Sequence, residues 1–432
     1  MAFDTTNQIH DLGADCASNV LPQATGRLSM TQNLDADLGE ELAGYSSYTS
    51  TPEKALTLFE RARESGCPMA RSEEMGGFYL ALDYDDVKKL HSDWETYSYT
   101  PTVVLPVVDR PGFPPLEYDP PQHTAWREIV SQAFNADTPP LVEDGVREDI
   151  SRLIDEFAGK GSCDLVHDFC EEVPLFALCR VIGFDRDKRA TVREMTLRVV
   201  ADFEDPEKGP KAFMDFAMFG AGEVMARAEN PKDDFLTELS RAELNGKPLG
   251  PLEIGQIMNS FLIAGHGTSV AAMASLLHEV LSRPDLVQRL KDHPELIPSA
   301  VEETLRLRTP FFGLYKRATR DVELGGVTIP QDSYIQACWA AANRDPKVYD
   351  NPDQFDVDRK FGRKNRHLTF GFGVHACPGA PTARMELRVA LEELLKRLPD
   401  ITLDNPDNVT YEFRGTETAA IPTLPATFTP KP

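Results

Sequence analysis

Cys377 stands in the run Phe370-Gly371-Phe372-Gly373-Val374-His375-Ala376-Cys377-Pro378-Gly379-Ala380, immediately before a stretch of helical periodicity. A cysteine at a helix start gains partial positive charge and backbone N–H donors, which favour a thiolate and suit it to ligate a metal. Pro378 fits a first helical turn, and Ala383, Leu387, Ala390, Leu391, Leu394 and Leu395 then recur at helical spacing as far as Leu398. Gly371, Gly373 and Gly379 permit positive φ and close approach of the backbone to a flat ligand, while Phe370 can screen the sulfur. A lone cysteine in such a turn is more often a buried structural residue. The chemical reading therefore rests on the constellations that accompany it.

Three of these carry chemistry. His123 and Arg127, four residues apart after Asp119-Pro120-Pro121, present two donors on one helix face, a pairing suited to carboxylates in a dry pocket. Glu303 and Arg306 share a face in Glu303-Thr304-Leu305-Arg306. The Pro-free stretch Leu252–Arg283 predicts one helix of about 48 Å at 1.5 Å per residue. Its middle, Ala264-Gly265-His266-Gly267-Thr268-Ser269, holds two glycines that each cost about 1 kcal/mol of helix stability relative to alanine. That cost points to a functional break. The ordinary alternatives are a Thr268 hydroxyl bonded back to the carbonyl four residues earlier and a His266 ring turned towards a neighbouring helix.

Taken together these segments resemble the cytochromes P450. The cysteine run matches F-x-x-G-x-[HR]-x-C-x-G at Phe370, Gly373, His375, Cys377 and Gly379. Glu303 and Arg306 match the family's E-x-x-R, followed in family order by Asn351-Pro352 and Phe355-Asp356-Val357-Asp358-Arg359, where Val357 replaces a common proline. The resemblance covers the chain from roughly Ala55 to its end. It implies a mainly α fold with small β-sheets, the cytochrome P450 fold, with haem b between the long helix and the helix after Cys377, which supplies the metal ligand. His123, Arg127, Arg317 and His375 would hold the propionates; Phe370, Gly371, Gly379, Ala264 and Gly265 would flank the macrocycle; Glu303, Arg306 and Arg359 would form a three-way ion network. Thr268, Gly267 and His266 would form the oxygen side. There Gly267 departs from the family pattern, which has Asp or Glu at that place, so ordered water with His266 is expected to carry protons. The implied activity is a monooxygenase that acts on O2 and a small hydrophobic substrate. Its electrons would come from ferredoxin and ferredoxin reductase, with NAD(P)H as the source. The alternatives are a nitric oxide reductase-type enzyme, a peroxide-driven one, or a haem-binding gas sensor.

The elements that must position these residues read as follows. Helical periodicity dominates from Pro140 to Arg308, as in Val142–Phe157 behind Pro139-Pro140, and strand signals gather at Val322–Ile329 around Gly325-Gly326 and at Tyr334–Ala340. No internal repeat is visible, so residues 51–432 are expected to form one catalytic domain after a polar, partly ordered segment 1–50. In the resembling fold the substrate is selected by the loop after Tyr97, the centre of the long helix, the segment after Arg308 and a C-terminal turn. These supply Val103, Val104, Phe261, Leu262, Phe311, Phe312, Leu314 and Phe413, a lining suited to a compact aromatic or terpenoid molecule subject to hydroxylation or oxidative O-demethylation. A net charge of −24 disfavours nucleic acid and anionic membranes. Against it, Arg359, Lys360, Arg363, Lys364 and Arg366 form a basic run suited to an acidic ferredoxin. Seven scattered cysteines without C-x-x-C, and no signal pattern, predict a cytoplasmic protein with reduced thiols.

Overall fold

The computed structural model describes residues 36–431, apart from 68, 108, 109, 111, 203, 204, 206, 415 and 416. A five-stranded sheet combines β1 (Met69–Ser72), β2 (Phe78–Ala81), β3 (Tyr97–Ser98), β4 (Gly313–Ala318) and β5 (Tyr334–Cys338) in the order β1-β2-β5-β4-β3. β5 is its centre, parallel to β2 and antiparallel to β4, and every residue of Tyr334-Ile335-Gln336-Ala337-Cys338 is buried, as a strand covered on both faces requires. The hairpin Val322–Leu324 with Val327–Ile329 turns through Gly325 and Gly326, at φ +56 and +77, the two positive values a tight two-residue turn demands. Near the C-terminus β6 (Glu412–Arg414) pairs with β7 (Thr418–Ala420).

Helices make up most of the molecule. Those that frame the site are α1 (Gln122–Ala133), α2 (Thr138–Ala158), α3 (Lys208–Glu229), α4 (Pro251–Gly265), α5 (Gly267–Leu281), α6 (Ile297–Leu307) and α7 (Ala380–Arg397). The apolar stripe read after Cys377 is the buried face of α7: Leu387, Ala390, Leu391 and Leu394 pack with Ile150 and Ile154 of α2, Met273 and Leu277 of α5 and Val301 of α6. A fully buried leucine side chain is worth about 1.5–3 kcal/mol, so this contact fixes the helix that begins at the cysteine.

The stretch expected as one long helix is two. α4 ends and α5 begins at His266, which leaves helical geometry at φ −100, ψ −73. The span Pro251–Leu281 is long and apolar enough to cross a membrane, yet its Ile257, Met258, Met273, Leu276 and Leu277 are buried within the fold. Of the segment 1–50, residues 1–35, including Cys16, lie outside the described residues; Ala36–Ala43 is a helix whose Leu38 and Leu42 are buried beside Tyr45, Phe59 and Phe78. The six described cysteines form no disulfide.

Candidate active site

Cys377 lies at the N-terminal end of α7, closed into a loop by its own backbone N–H donating to Phe370 O at 2.9 Å. Burial pushes its thiol up, and the backbone N–H groups of Gly379 and Ala380 with the charges of Arg127 and Arg384 oppose that shift. Its sulfur is surrounded by protein and still open to solvent-sized molecules, which is the signature of a cavity wall. Gly373 adopts φ +73, and a Cβ there would fall 2.6 Å from His91 O, so only glycine fits. Gly379 differs from the expectation of positive φ: it sits at φ −78, and its usefulness is the bare backbone N–H it offers the sulfur. Gly371 has φ +66, and the Phe370 ring beside the loop is capped by the Arg384 guanidinium at 4.6 Å.

This loop is tied to the ion network behind it by a residue that the sequence reading passed over. Buried Glu303 receives Arg306 Nε and Nη2 at 2.8 and 2.7 Å, and Arg359 Nε at 3.0 Å. Arg306 Nη1 in turn donates to the backbone of Asn343 at 2.9 Å. The Asn343 side chain accepts from Leu368 N at 2.7 Å and donates to Thr369 Oγ1 at 2.9 Å, two residues that lead directly into Phe370. Breaking a buried pair of this kind by removing one partner costs about 3–5 kcal/mol, so the network pins the cysteine loop as well as the fold.

On the other side of the loop, His123 and His375 meet with ring centroids 4.3 Å apart, and Tyr99 abuts His375 at 4.8 Å. His123 Nε2 and both ring nitrogens of His375 are buried without partners, and half-buried Arg127 makes no hydrogen bond or ion pair among the described residues. Burial together with Lys316 and His123 holds His375 down to about 2, and burial with Arg127 holds His123 down to about 4. Buried donors that repel further positive charge call for an anion, and the two propionates of haem meet that need.

Arg317 does not join this group. It lies on the opposite side of β4, pairing with Asp332 at 2.6 Å and donating to Thr100 O at 3.0 Å. Successive strand residues face opposite sides, so its neighbour Lys316 points inward instead: fully buried, 3.7 Å above the Tyr99 ring and bonded to Tyr97 O at 3.1 Å. Burial draws Lys316 down to about 7, and a carboxylate partner would restore its charge.

Across the cavity, Ala264 is exposed although its helix is mostly buried, and Gly267 and Thr268 are half exposed beside it. Thr268 Oγ1 donates to Ala264 O at 2.7 Å, holding the helix break. His266 differs from its expected place on the proton path: its ring turns away, with Nε2 3.1 Å from Glu171 O, and burial keeps its pKa down. An unexpected acid lies nearby. Glu386 of α7 is buried near Ser269, next to Thr268, with Oε2 unpartnered; burial pushes it up to about 8, and the Ser269 hydroxyl opposes that shift. Nothing in the sequence marked it, since it falls at an ordinary position within the helix.

The expected substrate residues separate into three groups. Val103, Val104, Phe311 and Leu314 gather in one apolar cluster beside Trp339. Phe312 and Phe413 instead stack edge to face at 4.9 Å in the cluster around β2. Phe261 and Leu262 are buried in the apolar cluster that also holds Phe216 and Val224 of α3, with Phe261 between Phe134 and Phe235 at 4.8 and 5.7 Å. The accessible face of α4 carries Gln256, Ser260, Ile263 and Ala264, about one residue's rotation from the face expected.

Two outcomes are expected. Replacing Lys316 by Met should speed haem loss to a scavenging globin about tenfold, roughly the 1.4 kcal/mol of one weakened charge-assisted bond, while Arg317→Met should leave it within error. For Glu386 the folded value is raised above the ordinary 4.5 to about 8. The folded chain thus holds a proton that the unfolded chain releases, and stability attributable to this group falls as pH rises from about 4.5 to about 8. Glu386→Gln should flatten that part of the thermal-unfolding profile, measured as Tm against pH.

The chain is similar over most of its length to known proteins of one family. The family model "Cytochrome P450" matches residues 201–399. Cytochrome P450 107B1 of Saccharopolyspora erythraea is 30% identical over 82% of this chain and 90% of its own, and mycinamicin IV hydroxylase/epoxidase of Micromonospora griseorubida is 36% identical over 68% and 74%. The solved structure of cytochrome P450 CYP109Q5 from Chondromyces apiculatus superposes with a TM-score of 0.80 at 27% identity, covering 90% of this chain and 99% of that one. This chain therefore belongs to the cytochrome P450 family, an oxidoreductase of the monooxygenase class whose cofactor is haem b.

Proposed function

We propose that this monooxygenase hydroxylates or oxidatively O-demethylates an apolar substrate that also carries oxygen functions, of the macrolide or polyketide type. The observation that carries this reading is the accessible face of α4. Close to Thr268 it is small and apolar, through Ile263 and Ala264; farther along it turns polar, through Ser260 and Gln256. Gln256 already reaches out of the helix to Gly112 O at 2.9 Å and Tyr118 Oη at 3.3 Å, holding the facing loop. Such a wall receives a large molecule with a bare reacting edge and a hydrogen-bonding far side. The mycinamicin IV hydroxylase/epoxidase among the relatives supports the same class by its name. A compact aromatic or terpenoid substrate is the second reading, favoured by the wholly apolar group Val103, Val104, Phe311 and Leu314.

Haem bound by Cys377 supplies the activation of dioxygen and the oxidation of the substrate. The chain's own residues position and protonate. Thr268 Oγ1, released from Ala264 O, is the donor nearest the reacting edge, and Glu386, which burial keeps protonated at neutral pH beside Ser269, is the acid held in reserve on the same side. The buried donors His123, His375 and Lys316, with half-buried Arg127, orient the cofactor from its propionate edge. Lys360, Arg363, Lys364 and Arg366 are exposed beside the cysteine loop, whereas Arg359 is tied to Glu303. They offer an acidic ferredoxin a steered approach to the thiolate face, in a protein read as cytoplasmic.

Optical titration of the ferric protein with macrolactones, methoxybenzenes and monoterpenoids separates the two readings. Macrolactones should give the low-to-high spin shift; a shift with the compact compounds alone would favour the second reading, and none with any would overturn both. Reversing Lys364 and Arg366 to Glu should slow reduction by an acidic ferredoxin at least tenfold at low salt, and the difference should shrink as salt rises; equal stopped-flow rates would remove the docking assignment.

A further inference from the structure

α3 carries on its outer side Lys211, Met214, Met218, Gly222, Met225 and Glu229. At 100° per residue these six positions fall within an arc of roughly 80°, and all six are exposed. The three methionines are 56, 62 and 64% exposed, among the most exposed large apolar side chains of the described residues. A row of three on one helix face is unusual on a monomer surface, where single exposed apolar residues are ordinary and aligned ones mark contact sites.

Two further features say what covers the row. The first is glycine. Within a helix a glycine costs about 1 kcal/mol relative to alanine, and Gly220 of α3 has an internal reason, because a Cβ there would fall 2.5 Å from Met258 Cγ. Gly222 has none: a Cβ would meet nothing within 4 Å. The second is charge. Lys211 and Glu229 close the two ends of the stripe, eighteen residues or five full turns apart, with no ion-pair partner among the described residues.

We propose that this face of α3 is a self-association surface, on which a second copy of the chain packs its own α3 antiparallel about a twofold axis that crosses the exposed stripe at the level of Gly220 along the helix. In that register residue i faces residue 440 − i, so Met218 of each copy lies over the open backbone of Gly222 in the other. Lys211 of each likewise meets Glu229 of the other, and Met214 and Met225 adjoin across the axis. A C2 contact requires one patch to complement itself, and this stripe does so in shape at its centre and in charge at its ends. A single helix pair buries less than the roughly 800 Å² per partner of a standard interface, so the dimer belongs with the small, transient contacts.

Sedimentation equilibrium of the full-length holoprotein across micromolar concentrations tests this. The wild type should show a monomer–dimer equilibrium. Met218→Glu should weaken it at least a hundredfold, and Lys211→Glu about tenfold at low salt. The double variant Lys211→Glu/Glu229→Lys, which exchanges the charges and restores the pairing, should return to within threefold of wild type. A wild type that stays monomeric throughout, or a dimer indifferent to Met218→Glu, would overturn the proposal. So would failure of the double variant to recover while its thermal stability and haem spectrum match those of wild type.

Discussion

An anionic sulfur inside a protein has to be stabilised against the low dielectric around it, and the architecture follows from that constraint. Burial alone drives the Cys377 thiol towards its protonated form; two backbone N–H groups at the start of α7 and the charges of Arg127 and Arg384 act in the other direction. For those N–H groups to converge on one atom, the loop from Phe370 to Gly379 must take one shape. Its shape is held from behind by Asn343, Arg306 and Glu303, and from below by the apolar face of α7. The ion network and the hydrophobic core therefore serve the same few backbone donors.

The opposite edge of the cavity answers a complementary constraint. Two neutral histidines, a lysine drawn down to about 7 and an arginine without an ion-pair partner among the described residues surround one space. None of these states is comfortable in isolation, and each improves with carboxylates present. The site is built to be completed by its cofactor, so part of the folded protein's stability is expressed as affinity for haem.

What the sequence made legible were features set by contiguous residues: the cysteine loop, the Glu303–Arg306 pair, the His123–Arg127 pair, the glycine-marked break and the course of α7. What it hid depends on rotation or parity that a linear pattern does not fix. Arg317 is expected at the propionates but it is Lys316 that faces inward, because the strand's parity cannot be read from a short run that is buried nearly throughout. Phe261 and Leu262, expected at the substrate wall for their apolar bulk, are turned into the core, and the open face is carried by Ile263 and by Ala264, a small residue left exposed. Asn343 and Glu386 escaped because their roles arise from partners far along the chain. His266 was placed on the proton path by adjacency in sequence, and the helix break turned its ring towards Glu171.

Gly267 leaves one more consequence. A Cβ at this position would meet nothing within 4 Å, so no backbone contact excludes the Asp or Glu that the family pattern places there. Glycine codons differ from those of aspartate and glutamate by one base at the second place. This position is therefore one mutational step from a carboxylate that the fold has room for, whereas Gly373 in the thiolate loop has no such freedom, since a Cβ there would fall 2.6 Å from His91 O.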